Sequence, residues 1–408
     1  MPTLISAVGD LLLLSVGNRV VAMRNRGSSS SKMELPLPSP EICESRSGAD
    51  CADAVGPRPE MTSLHISSCQ MYLLATTSDK RLIIWNRQQE ETSGGAEGKW
   101  LIHSVRKTPR KCIQTSLSKL APRMVLVADR AGDVYEYDLE DCGASPRLLM
   151  GRLSMLLDMT LTASNEFLII CDRDEKIQVS SYPDCYDIVA FCLGHQQFVT
   201  SITTLDHHGD RLVSVGGDGK LKLWDIRTGT CLDSFDCWAD AAQAERLRPF
   251  EQYSSVKDGK KTRPPLKKVL NRGDLVVVIY SRVPYVHILS CRGGASFKKL
   301  AGIHTDLPVR DATIDQSSRL WILTPAPSIY QLDAAGSHSE VQLSPDIAEY
   351  LRDLIAPLAG TTESNAELDT LYKQWFDNVE EYLLRKKSRQ EEKIQKKKRA
   401  NRNKIAVK

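Results

Sequence analysis

One unit recurs along the chain: a β-branched strand, a turn, a second apolar run, an acidic turn, and a third strand with an aromatic or aliphatic end. The clearest copy is FVTSITTLDHHGDRLVSVGGDGKLKLWDI, from Phe198 to Ile226. Further copies occupy 61–86, 112–138, 156–182, 269–290 and 309–333, and a degenerate one occupies 4–25. Their third strands end at Trp85, Tyr137, Ser181, Trp224, Leu289 and Tyr330, at intervals of 52, 44, 43, 65 and 41 residues. A unit this short has two apolar faces and cannot cover both itself, so each must be covered by a neighbour. The expected fold is all-β, a seven-bladed β-propeller over residues 1–340. The first and last strands are expected to share a blade. The long intervals place insertions at 27–60, 89–99 and 236–268, and the Ser- and Pro-rich 27–60 and the 236–268 segment read as flexible.

Past the ring, Ser344–Pro345 reads as a helix N-cap with proline in the first turn, leading into 346–356. Ser364–Asn365–Ala366–Glu367 reads as a capping box. After it, Leu368, Leu371, Tyr372, Trp375, Phe376, Val379, Tyr382 and Leu383 recur at helical spacing. Residues 341–384 are therefore expected to form helices that dock on the propeller, with 385–408 as a basic tail. That tail holds twelve Lys or Arg against Glu391 and Glu392, a balance of +10, which leaves −7 on residues 1–384 out of the total of +3. An acidic body with a basic tail suggests a body that binds a protein partner and a tail that seeks a polyanion.

Reactive constellations are missing from the sequence. Gly216–Gly217–Asp218–Gly219 lies between two strands, not between a strand and a helix, so it reads as a turn and not a nucleotide loop. The eight histidines lack metal-ligand spacing, and the eleven cysteines contain no Cys-x-x-Cys pair. Their odd number argues against a disulfide framework and for an intracellular chain with reduced thiols. No run approaches the roughly 18 uninterrupted apolar residues of a membrane helix. The apolar run 11–14 follows Asp10 rather than a basic segment, so it is a poor signal peptide.

The 198–226 unit resembles the WD-repeat family. Gly194–His195 precedes it, Asp218–Gly219 forms its tight turn, and Trp224–Asp225 closes its third strand. The resemblance implies a structural hydrogen-bond chain through His195, Ser214, Asp218 and Trp224. A second signal is more specific. The run Asp172–Arg173–Asp174–Glu175–Lys176 carries five consecutive charges where a short polar turn would suffice, and Arg130 occupies the equivalent turn of the preceding unit. The peptides GRLSMLLD, CDRDEKI, FCLGHQQFV, GGDGKLKLWD and LYKQWFDNV together resemble the non-catalytic WD-repeat subunit of the tRNA guanine-N7 methyltransferase.

That resemblance implies a scaffold that is not itself an enzyme. It would bind a separate catalytic methyltransferase carrying S-adenosylmethionine, stabilise it, and help position tRNA for N7-methylguanosine formation in the variable loop. The partner-facing residues it implies are Arg152, Ser154, Met155, Asp172, Arg173, Asp174, Glu175 and Lys176, with Arg130 in support and Met155 as an apolar anchor. Gln178 is placed with them, although the family usually carries a basic residue there, so a charge pair is lost or moved. In the tail, Arg385, Lys386, Lys387, Arg389, Lys396, Lys397, Lys398 and Arg399 are the expected contacts to tRNA phosphates. Lys396–Arg399 also reads as a nuclear import signal, with nucleus, and cytoplasm besides, as the expected location. Arg106, Lys107, Arg110 and Lys111 form a second basic patch. The alternative is a general WD-repeat adaptor, such as a ubiquitin-ligase substrate receptor, suggested by Trp224–Asp225–Ile226–Arg227.

Overall fold

The strand Leu275–Tyr280 (LVVVIY) is buried along its whole length. Because successive side chains of a strand point to opposite faces, Val276 and Val278 enter one apolar cluster while Leu275, Val277 and Ile279 enter another. The same division recurs around the molecule: Val125 and Val127 face one way, Leu126 and Ala128 the other. Among the described residues the core is seven such clusters, each built from two neighbouring units. The computed structural model describes residues 3–26, 29–38, 59–88, 98–120, 123–243, 255–257, 260–262, 264–342, 345–356, 370–372 and 383–389.

Seven antiparallel four-stranded sheets form the blades. Blade 1 is Thr3–Val8, Leu11–Val16, Arg19–Arg26 and Ser29–Glu34; blade 2 is Met61–Ile66, Tyr72–Thr77, Arg81–Gln88 and Lys99–Lys107. Blade 3 is Cys112–Leu117, Met124–Asp129, Asp133–Asp138 and Arg147–Gly151; blade 4 is Leu156–Leu161, Phe167–Asp172, Lys176–Ser181 and Ile188–Leu193. Blade 5 is Val199–Leu205, His208–Gly216, Lys220–Asp225 and Cys231–Asp236; blade 6 is Leu266–Arg272, Leu275–Tyr280, Tyr285–Ser290 and Lys298–His304. Blade 7 is Asp311–Ile314, Arg319–Leu323, Ser328–Leu332 and His338–Glu340. Within a blade the strands are called a to d in chain order. Strands a of consecutive blades contact one another around the ring, blade 7 to blade 1 included. Antiparallel order puts every a–b and c–d turn on one face of the ring and every b–c turn and d–a crossing on the other.

Two expectations are corrected. No blade is shared between the chain ends: blade 1 uses only residues before 35, and blade 7 only residues from 311 to 340. Closure is made by side chains instead. Ile5 N donates to Asp311 Oδ2 at 2.9 Å across the seam, and the C-terminal helix Pro345–Ile355, α1, covers the same seam. This helix, Pro345–Ile355, sets Leu351, Leu354 and Ile355 into one cluster with Ile5, Leu12, Leu14 and Met23 of blade 1 and Trp321, Leu323 and Ile329 of blade 7. Its first residue is the predicted Pro345, while Ser344 and the 364–367 capping box lie outside the described residues.

The segments read as insertions are also structured in part. Ser29–Glu34 is strand d of blade 1, Leu35 is buried, and Pro36 O accepts the indole N–H of Trp85 at 2.8 Å. In the second, Cys237–Gln243 is a helix whose Cys237, Trp238 and Ala241 join the blade 5–6 core, and a small hairpin pairs Ser255–Lys257 with Lys260–Thr262. A buried leucine inside a polar stretch explains the first difference, since Leu35 joins the core shared with blade 2 and the Pro36 carbonyl reaches Trp85 after only a short strand.

Residues 370–408 form a second compact unit. Its described part includes a helical stretch at 383–389 with every residue exposed, Arg385, Lys386, Lys387 and Arg389 among them. Trp375, Phe376 and Lys396–Arg399 lie outside the described residues.

Since α1 packs across the seam between the first and last blades, Leu354→Ala should lower folding stability by about 2–5 kcal/mol, the cost of a buried leucine cavity. A urea midpoint equal to that of the unmodified chain would show that the ring closes without it.

Candidate binding rim

The charged run is a b–c turn of blade 4, and its geometry follows from Asp172 at the end of strand b. Asp172 Oδ1 accepts the amides of Asp174 at 2.8 Å and Lys176 at 3.1 Å. This tight turn holds Glu175 at a φ of +69°. Asp129 plays the same part in blade 3, where Oδ1 accepts the amides of Ala131, Gly132 and Asp133 at 2.8, 2.9 and 3.0 Å. The crossing from blade 3 to blade 4 lies against both turns. Arg152 N donates to Gly132 O at 2.8 Å, and Arg173 N donates to Met155 O at 2.9 Å. A Cβ on Gly132, whose φ is +124°, would lie 2.1 Å from Arg152 O, so only glycine allows this approach.

Arg152 is the centre of the rim. Its Nη1 donates to Gln178 Oε1 at 2.7 Å, its Nη2 lies 3.5 Å from Asp172 Oδ2, and its guanidinium stands 5.6 Å from the Phe191 ring centroid. Gln178 Nε2 in turn donates to Ser180 Oγ at 2.9 Å. Burial lifts the Asp172 carboxyl above the usual carboxylate range, against the opposing pull of the Lys176 amide and the Arg152 guanidinium. Arg130 Nε approaches Met155 Sδ at 3.3 Å.

Arg130, Arg152, Met155, Arg173, Asp174, Glu175 and Lys176 thus come together on one face of blades 3 and 4. Two candidate roles change. Gln178 is 3% exposed and both ends of its amide are committed inside the chain, so it holds Arg152 instead of meeting a partner. Met155 is half-buried beside Arg130 and is not a projecting anchor, and Ser154 Oγ is buried without a hydrogen-bond partner. The projecting apolar residues are ones that the sequence pattern did not single out. Leu153 is fully exposed at 108%, and Leu193 is 62% exposed. Leu193 is the cross-strand partner of Lys176, and Phe191 that of Gln178. The signal for Leu193 and Phe191 was present in IVAFCL, an outer strand with apolar residues on its outward face.

The other candidates are structural. Trp224 Nε1 donates to Ser214 Oγ at 2.8 Å, Ser214 Oγ lies 2.7 Å from His195 Nε2, and His195 Nδ1 lies 3.0 Å from Asp218 Oδ2. With Nδ1 protonated and Nε2 accepting the serine hydroxyl, the polar groups of these four side chains are paired with one another. Gly219, at a φ of +73°, would drive a Cβ into Trp238 at 1.8 Å, so the Trp238 ring packs directly against this glycine-rich turn. In the second basic patch, Arg106 is buried and donates to the carbonyls of Asp138 and Leu139, which leaves Lys107, Arg110 and Lys111 exposed. Arg227 pairs with Glu166 at 2.9 Å and lies 5.0 Å from the Phe167 ring centroid, while Asp225 pairs with Arg211 at 2.7 Å. Both charges of the Trp224–Arg227 motif are therefore engaged within the propeller.

The a strands line a polar channel of about 340 Å³ containing His65, Asp158 and Lys268. Asp158 accepts from Gln114, Ser201, Ile202 N and Met159 N at 2.8–3.0 Å, stapling three blades, and Lys268 pairs with Asp311 at 2.7 Å. No group of three or more His, Cys, Asp or Glu among the described residues is arranged to hold a metal.

The sequence profile of a family described as the tRNA methyltransferase TRM82 WD40 domain matches residues 140–349. The mouse tRNA (guanine-N(7)-)-methyltransferase non-catalytic subunit WDR4 is 31% identical over 326 residues, covering 77% of this chain and 73% of that protein. The human protein of that name is 31% identical over 321 residues, with 76% and 72% covered. The non-catalytic subunit wuho of Drosophila mojavensis is 29% identical, with 80% of this chain and 79% of that one covered. Among solved structures, a chain of the mitotic checkpoint complex matches with a TM-score of 0.58 at 11% identity, over 79% of this chain and 87% of that chain. That likeness shows the propeller fold alone.

Because Gln178 is the inner support of Arg152, Gln178→Leu should cost about 1–3 kcal/mol by leaving a guanidinium N–H and the Ser180 hydroxyl unpaired. An unchanged urea midpoint would mean that water replaces the amide without loss.

Proposed function

The chain belongs to the family of WD-repeat non-catalytic subunits of the tRNA guanine-N7 methyltransferase, and from that membership we propose that the blade 3–4 rim is where it engages its catalytic partner. The chain itself is the non-catalytic subunit of that complex. One observation carries the assignment of the rim: Arg152 is held rigidly from behind by Gln178, Asp172 and Phe191, with Leu153 and Leu193 projecting beside it. A preorganised charge cluster flanked by exposed apolar side chains has the make-up of a protein interface. Buried apolar anchors supply most of the affinity in such a contact, while the charges set register and partner choice.

In this scheme the catalytic subunit carries S-adenosylmethionine. The propeller stabilises it in an active shape and helps present tRNA, and no bond is made or broken on this chain. The charges of the rim recognise complementary charges on the catalytic subunit: Arg130, Arg152, Arg173 and Lys176 take carboxylates, and Asp174 and Glu175 take basic groups. The exposed Arg385, Lys386, Lys387 and Arg389, with Lys396–Arg399 beyond them, bind tRNA phosphates without regard to sequence. The 396–399 run also directs the chain to the nucleus.

Co-expression with the catalytic subunit, followed by size exclusion and a methyl-transfer assay, tests the assembly. A one-to-one complex with activity that neither protein has alone is expected. Glu175→Lys should release the partner at moderate salt while the propeller keeps its thermal midpoint; full co-purification of this variant at high salt would remove Glu175 from the interface. Deletion of 385–408 should flatten the dependence of tRNA affinity on salt concentration, and an unchanged slope would reject the phosphate contacts.

A further inference from the structure

The seam between blades 1 and 7 holds a cavity of about 240 Å³. It opens among the a–b turns at Gly9–Asp10 and Gln316–Ser317, on the face opposite the rim. Leu12, Met23 and Trp321 supply an apolar wall, and Arg24 and Arg319 supply two guanidinium groups.

Among the described residues, the acidic groups facing these two cations stand at long distances. The Arg24 side chain is only 10% exposed, yet its nearest carboxylate, Asp10, lies 4.0 Å away, and its contact to Gln70 Oε1 is 3.4 Å. The Arg319 guanidinium lies 3.6 Å from Asp315 Oδ2. Asp315 is already engaged, since Oδ1 accepts the amides of Ser317 and Arg319 at 2.8 and 2.9 Å and Oδ2 accepts the Trp321 indole at 3.2 Å. A guanidinium offers five N–H donors in a planar fork that matches a carboxylate. Taking such a cation out of water is costly unless acceptors meet it.

We propose that this cavity is a second binding site, which takes the carboxylate of an acidic side chain from a peptide between Arg24 and Arg319, with the methylenes of that side chain against Met23 and Trp321. The size selects for such a ligand. Small-molecule sites enclose about 300–1,000 Å³, so a space of about 240 Å³ admits one side chain and excludes a cofactor. The charge selects further. Asp10 and Asp315 line the same cavity, and their negative charges disfavour a dianion such as phosphate more strongly than a singly charged carboxylate. Because the cavity and the rim lie on opposite faces, an acidic segment of another protein can occupy the cavity while the catalytic subunit occupies the rim.

The test uses the full chain labelled with ¹³C-methyl methionine, with the Met23 signal assigned by its loss in Met23→Leu. N-acetyl-glutamate methylamide is the probe, and its glutamine counterpart and inorganic phosphate are the comparisons. A saturable shift of the Met23 methyl with the glutamate compound, and none with the other two, is expected. Arg319→Gln, at the more exposed of the two arginines, should weaken the probe about tenfold, the value of one charge-assisted hydrogen bond. Arg24→Gln should abolish the shift, and its thermal midpoint checks that the variant folds. Equal shifts with the glutamine compound would reduce the cavity to an apolar contact. A response to phosphate alone, an undiminished response in Arg319→Gln, or no saturation at any concentration would each overturn the proposal.

Discussion

Every blade depends on two apolar faces being covered by two neighbours. Strand b shows why: alternation sends Val277 toward blade 7 and Val276 toward blade 5, so neither face can be left open. An open row of seven blades would expose one face at each end, and the ring removes both ends at once. What remains is a seam, and the seam here is closed by side chains: Ile5 on Asp311, and the leucines of α1 set between Met23 and Trp321. A cavity opens at that seam, where two arginines and two aspartates meet at distances too long for full hydrogen bonds.

Rigidity from the ring passes directly into the rim. Asp172 and Asp129 stand at the ends of buried strands, and each organises its turn through backbone amides. The crossing 152–155 is pressed against both turns, with glycine at 132 because a side chain has no room there. Arg152 can therefore present its charge without paying for immobilisation when a partner arrives. Gln178 is a neutral amide that braces Arg152 from inside the blade. The charge pattern of the surface is thus set partly by a residue that never reaches it.

The two faces of the ring differ in what they can do. The rim face offers exposed leucines and a mixed-charge cluster suited to a folded protein surface. The opposite face offers a small recess with two guanidinium forks, suited to a single acidic side chain. The channel between them holds Asp158 and Lys268, but both are committed to neighbouring strands, so it serves as a polar axle for the blades.

Much of this was legible in the chain itself. The repeat located the three inner strands of every blade, because alternating burial leaves its period in the residues. The WD turn located the His195–Ser214–Trp224 chain, and five adjacent charges located the rim. Pairwise facts were hidden. Gln178 and Lys176 lie two residues apart and point to the same side of their strand, yet one is buried under Arg152 and the other open to solvent, a difference set by the neighbouring crossing. Leu153 looked like any apolar residue beside Met155, and only the path of that crossing turned it outward. Local pattern and composition determined the blades, since they depend on which residues alternate. The closing of the ring, the bracing of Arg152 and the cavity at the seam were decided by tertiary structure, because each depends on residues far apart in sequence meeting across a blade boundary.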